Sequence, residues 1–157
     1  IYCGTILFVD GEEGFRVHLR RYPEGTKMKI ILLADTSRNE LLVNFCIAYQ
    51  QILAKHELVS PINTARLIEE ATSLKLERFS ADAFSVYSQL ASIALYNEID
   101  ALICLRDPSI PVPDSQHRMF QACDTNSIPY ATNTATAEIL ILAISRGDLD
   151  WRELVRS

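Results

Sequence analysis

The run Ala101-Leu-Ile-Cys-Leu105, followed at once by Arg106, Asp107 and Pro108, most constrains what this chain can fold into. Five consecutive residues without a polar side chain suit a strand buried on both faces, as in a parallel sheet covered by helices. Pro108 offers no backbone N–H to extend the ladder. The strand therefore delivers Asp107 to a rim, and in open α/β sheets ligands bind beyond the carboxyl ends of the strands.

From Lys29 onward the chain keeps a strand-then-helix rhythm. Apolar runs at Ile30 to Ala34, Leu58-Val59, Leu76 to Phe79, Ala101 to Leu105 and Tyr130-Ala131 are each followed by a helical pattern. Ser37 and Glu40 have capping-box spacing, and Leu42, Phe45, Cys46, Tyr49, Ile52 and Leu53 then recur along one helical stripe. Asn63, Asp82 and Asp114 are the expected caps of the next three helices. A last long helix is expected from Thr134 to Gly147, with Trp151 and Leu154 in a short closing segment. Alternating strands and helices imply right-handed crossovers and a three-layer α/β/α sandwich around a mainly parallel five-stranded sheet. All the strand-to-helix loops then share one edge, which gathers Asp35, Asn63, Thr64, Arg66, Asp82, Arg106, Asp107, Asp114, His117, Thr132, Asn133 and Thr136.

Ahead of this rhythm, Thr5 to Val9 and Phe15 to Leu19 flank the turn-rich Asp10-Gly-Glu-Glu-Gly14 and read as a β-hairpin. In its second arm Phe15, Val17 and Leu19 alternate with Arg16, His18 and Arg20, a pattern for a solvated face or for docking of a protein partner. Residues 1–26 are thus expected to be a hairpin extension with its linker, and residues 27–157 an α/β domain.

A net charge of −5 provides no field to draw in nucleic acid or an anionic membrane surface. No apolar stretch approaches the length of a membrane span. Cys3, Cys46, Cys104 and Cys123 form no CxxC pair and fall mostly within apolar segments, as core thiols of a reducing compartment do, so a cytoplasmic location is expected. A metal held by Asp35, Asp107 and Asp114 would have suitable ligands but no spacing signature. Neither a metal nor a cofactor is expected.

Between Lys29 and Ala143 stand three distinctive segments: the strand ending Asp107-Pro108, Pro111-Val-Pro-Asp114, and Ile128-Pro-Tyr-Ala-Thr-Asn-Thr-Ala-Thr-Ala137. In them the chain resembles the methylglyoxal synthase-like family, in which the last of the three reads I-P-V-A-T-N-x-A-T-A. His56-Glu-Leu58, Arg66 to Thr72 and Glu98-Ile-Asp100 add to the resemblance. It implies a homo-oligomer, commonly a hexamer in this family. It also implies a site that takes a proton from dihydroxyacetone phosphate and expels phosphate.

That chemistry needs an anion cradle, a carboxylate base and groups that polarise the carbonyl. Where the family has a T-G-T-T-G turn, this chain reads Pro61-Ile-Asn-Thr-Ala65, which lacks the glycines and one N–H. The family's lysine position falls on Asn39, its histidine on Asp35 and its catalytic aspartate on Tyr87. A second histidine and a nearby aspartate fall on Asp114 and His117, as though exchanged. A tyrosine with a pKa near ~10 is a poor substitute for a carboxylate base. The expectation is therefore a non-catalytic member, a pseudoenzyme used in ligand sensing, regulation or assembly. Its small polar or phosphorylated ligand would meet Asp35, Asn63, Thr64, Arg66, Arg106, Thr132, Asn133 and Thr136. The alternative is an active phospholyase with a rearranged site built on Asp107, Asp114 and His117.

Overall fold

The structure is a computed structural model that describes residues 5–8, 16–19, 26–79 and 85–156. Strands β1 (Thr5–Phe8) and β2 (Arg16–Leu19) pair antiparallel, with Thr5 opposite Leu19 and Phe8 opposite Arg16, so both arms of the expected hairpin form. The expected turn from Asp10 to Gly14 and the linker at Pro23 lie outside the described residues.

Five further strands build one all-parallel sheet: β3 (Lys29–Ala34), β4 (Glu57–Pro61), β5 (Glu77–Phe79), β6 (Ala101–Leu105) and β7 (Tyr130–Ala131). Their order is β5-β4-β3-β6-β7. The first strand of this sheet, β3, lies at its centre; the chain winds outward through β4 and β5, then returns to lay β6 against the other side of β3. The crevice between β3 and β6 is thus the topological switch point, where open α/β sheets bind ligands. Each outermost strand is brief, three residues in β5 and two in β7.

Side-chain alternation assigns each strand to two cores. On one face Ile30, Leu32, Ala101 and Ile103 pack with helices α1 (Asn39–Ala48), α2 (Gln50–Leu53), α3 (Ile62–Ala71) and α6 (Thr134–Arg146) through Leu42, Phe45, Leu53, Ile68 and Ile141. On the other, Ile31, Leu33, Leu102 and Cys104 meet α4 (Val86–Leu95) and α5 (Asp114–Thr125) through Leu90, Ala94, Met119 and Cys123. All five residues of β6 are buried, the condition expected of an apolar run covered on both sides. Each fully buried Leu or Ile contributes about 1.5–3 kcal/mol of transfer free energy, so this double coverage is what holds the sheet. Cys46, Cys104 and Cys123 are free and buried, and burial pushes all three thiols up to about 12, leaving them as packing groups. Cys3 lies outside the described residues.

Three expected caps are corrected. Ser37 sits in a 3-10 turn, Thr36–Arg38, and its hydroxyl goes to Asp107 rather than to the helix; α1 begins at Asn39. Asn63 and Asp114 lie inside the first turns of α3 and α5, whose N-cap positions are taken by Pro61 and Pro113. In both cases the residue before the helix is an extended proline, whose fixed φ ends the preceding segment and lets the helix start one residue later. Asp82 lies outside the described residues, and α4 starts at Val86. The cap of α6 forms as its sequence indicates: Asn133 accepts the Thr136 N–H at 2.9 Å, and Gly147 closes the helix at φ 80°.

The closing segment is less peripheral than its sequence suggests. Helix α7 (Arg152–Arg156) opens on Arg152, which is 2% exposed and lies 3.4 Å from the carboxylate of Asp100, itself 2% exposed. The same guanidinium donates to the carbonyls of Asn126, Ser127 and Ile99 and to the side chain of Asn97. Asp100 in turn accepts the Lys29 N–H at 2.8 Å, fastening the start of β3.

Candidate functional site

The carboxyl ends of β3 and β6 place a hydrogen-bonded group at the switch point. The Asp35 N–H donates to the Leu105 carbonyl at 2.9 Å, and the Asp35 carboxylate accepts the Asp107 N–H at 2.7 Å. Asp107 accepts the Ser37 hydroxyl at 2.6 Å and both the N–H and the hydroxyl of Ser109, at 2.9 and 2.6 Å. Those donors, first Ser109 and then Ser37, hold the Asp107 carboxyl down at about 2. Asp107 is consequently ionised at neutral pH and only weakly basic.

Beside it stands Arg106. Its N–H donates to the Thr132 carbonyl at 3.0 Å, which ties β6 to the loop after β7. Its guanidinium donates through Nε to the Gln116 side-chain oxygen at 3.1 Å and through one terminal nitrogen to the Ile110 carbonyl at 3.0 Å. Gln116 is 2% exposed and directs its amide nitrogen at the Cys104 thiol, 3.5 Å away. Tyr87, half-buried on α4, faces this same cluster. Burial, chiefly, with Cys104 and Asp35 nearby, pushes its phenol up to about 12, and Arg106 opposes that rise. A phenol so placed stays protonated and cannot accept a proton as a carboxylate would.

The expected site residues therefore separate into groups. Asp35, Arg106, Asp107 and Thr132 come together through direct bonds at the switch point. Asp114 and His117 are both exposed on the first turn of α5, while Gln116 between them turns inward. Thr64 is half-buried, and Asn63 and Arg66 are exposed, at the start of α3 beyond β4. Asn133 and Thr136 bond to each other at the start of α6. Among the described residues no three acidic, histidine or cysteine side chains converge as metal ligands. Gln116 and Ser109 escaped the sequence reading, and Ser37 entered it as a helix cap rather than as a partner of Asp107. The one available signal for Gln116 was a polar residue on the inward stripe of an amphipathic helix.

A second concavity, a cavity of about 350 Å³, opens at the opposite, amino-terminal edge between Lys27, His56, Leu74 and Lys75. There His56 accepts the Met28 N–H through Nδ1 at 3.0 Å. No helix among the described residues is long and apolar enough to cross a membrane.

A single parallel α/β sheet with a polar constellation at its switch point places the chain in the doubly wound α/β class. Comparison with known proteins narrows the class. No family model matches the chain. It is 46% identical over 130 residues to a methylglyoxal synthase of Caldicellulosiruptor saccharolyticus, a match spanning 82% of this chain and 92% of that protein. It is 41% identical over 131 residues to a methylglyoxal synthase of Brevibacillus brevis, spanning 82% and 96%. A crystal structure of a methylglyoxal synthase from Elizabethkingia anophelis superposes with a TM-score of 0.65 at 25% identity, covering 73% of this chain and 77% of that one. The chain belongs to the methylglyoxal synthase family.

Proposed function

We propose that the chain is a phospholyase of the methylglyoxal synthase type, acting on dihydroxyacetone phosphate at the carboxyl edge of the sheet through a rearranged site. The observation that carries this reading is the 46% identity to a protein named methylglyoxal synthase over 92% of that protein's length. In such a reaction a base takes a proton from the carbon beside the carbonyl, giving an enediolate. The C–O bond to phosphate then breaks, phosphate leaves with the electron pair, and the enol product tautomerises to methylglyoxal. The Asp107 carboxylate, held near 2 by Ser109 and Ser37, is too weak a base for the first step. That role passes to His117 or Asp114 on the first turn of α5, with Asp107 keeping the serine hydroxyls in place.

A second reading, a non-catalytic member that binds a small phosphorylated ligand in sensing or regulation, is favoured by specific observations. The half-buried phenol of Tyr87 occupies the position where the resemblance puts the family's base, and Pro61 and Ile62 occupy the cradle. A turnover assay separates the two. The lyase reading expects methylglyoxal from dihydroxyacetone phosphate above the enzyme-free blank, with His117→Gln or Asp114→Asn lowering the rate by a factor of about 10²–10⁴, as loss of an acid–base group does. No product above the blank, with a thermal shift on adding the same compound, leaves the non-catalytic reading standing.

A further inference from the structure

Arg106 is held without being neutralised. Its two side-chain acceptors, the Gln116 amide oxygen and the Ile110 carbonyl, are uncharged. Among the described residues no carboxylate lies within ion-pair distance of it. Guanidinium carries five N–H donors, so three remain without a protein acceptor among the described residues. The neighbouring carboxylates are engaged elsewhere: Asp35 takes the Asp107 N–H, and Asp107 takes three donors from Ser37 and Ser109. A planar cation with spare donors, fixed at the switch point, is suited to a phosphoryl or carboxylate oxygen.

Gln116 explains why the arginine is fixed. It is the buried polar residue of α5, and both ends of its amide are used, one on Arg106 and one toward Cys104. A carboxylate there would hold the arginine equally well but cancel its charge. An apolar side chain would leave the Arg106 Nε–H without its acceptor and the arginine held by the Ile110 carbonyl alone.

We propose that Arg106, positioned by the buried Gln116, contacts the phosphoryl group of an anionic ligand at this edge. It does the work that the resemblance assigns to a lysine at Asn39 and a glycine-rich cradle at 61–65. The proposal rests on the reading of this edge as the ligand site, but not on turnover.

The test uses the whole chain and inorganic phosphate as probe, followed by the NMR signal of the Arg106 Nε–H, assigned with Arg106→Lys. Phosphate is expected to shift that signal saturably. Gln116→Met, which keeps the volume but removes the acceptor, is expected to weaken phosphate binding about tenfold. Gln116→Glu, which keeps the acceptor but cancels the charge, is expected to weaken it at least as much. A merely structural Gln116 would let a folded Gln116→Glu bind phosphate as the parent does, and that result overturns the proposal. So does a parent protein that binds no phosphate, or whose Arg106 signal stays fixed while others move. If Gln116→Met fails to fold, the parent's Arg106 signal and Gln116→Glu still decide. A shifted Arg106 signal without methylglyoxal formation would remove the lyase reading and leave this one intact. Methylglyoxal formation with an unmoved Arg106 signal would do the reverse.

Discussion

Replacing Arg152 by methionine would test how the closing segment holds the domain. The guanidinium is 2% exposed and serves Asp100, Asn97 and the carbonyls of Asn126, Ser127 and Ile99. Methionine fills much of the volume but satisfies none of these acceptors. It leaves the Asp100 carboxylate, 2% exposed, without this cation. Removing one partner of a buried ion pair costs about 3–5 kcal/mol. For a domain of this size each kcal/mol moves the midpoint by about 2–4 °C, so Tm should fall by roughly 6–20 °C. Two residues with positive φ, Asn97 at 56° and Ser127 at 52°, lie under the same guanidinium, which ties their loops together. Urea unfolding followed by circular dichroism should show a lower midpoint with an unchanged slope. Asp100→Asn and the double variant complete a cycle, and the double variant should lose clearly less than the sum of the singles. A loss below about 1 kcal/mol for Arg152→Met, or strict additivity in the cycle, would refute the reasoning.

Two further outcomes follow from the titrating groups. Ser37→Ala and Ser109→Ala should each raise the NMR titration midpoint of the Asp107 carboxyl from about 2 toward its ordinary 3.8, since each removes a donor to the ionised form; a midpoint unmoved in both variants contradicts the hydrogen-bond account. His56 is lowered from its ordinary 6.5, first by burial and then by Lys55 and Lys27, while Asp100 opposes the shift. Its neutral ring accepts the Met28 N–H, so the unfolded chain takes up the proton first. Unfolding free energy should therefore be fully present above pH 6.5 and decline as pH falls below it, with His56→Gln flattening that decline; an equal slope in both proteins would exclude His56 as its source.

The fold was legible because apolar runs and helical stripes carry the information about it. Ala101 to Leu105 could be buried on both faces only in a covered parallel sheet, and β6 occupies that place. The rim was legible in position but not in wiring. Ser37 looked like a cap because serine before a helix usually is one, yet an aspartate 70 residues away competes for its hydroxyl at 2.6 Å. Nothing local in the sequence marks Gln116 and Arg152 as interior, since polar side chains mostly lie at the surface. They are interior because each meets specific partners, and such long-range pairing leaves no local periodicity to detect. Tyr87 lies on α4, and its nearness to Arg106 and Asp35 depends on how that helix crosses the sheet, which no local pattern reveals.

The brevity of the outermost strands bears on how the protein behaves when crowded. A foreign chain seeking to zip onto the sheet finds only three backbone residues on one side, where Glu77 and Arg78 stand exposed, and two on the other. So few open amide and carbonyl groups make a poor template for a growing fibril, and the exposed Glu77 and Arg78 side chains disfavour a dry edge-to-edge contact. The central strands, apolar enough to aggregate by themselves, are kept from foreign strands by margins too small to propagate.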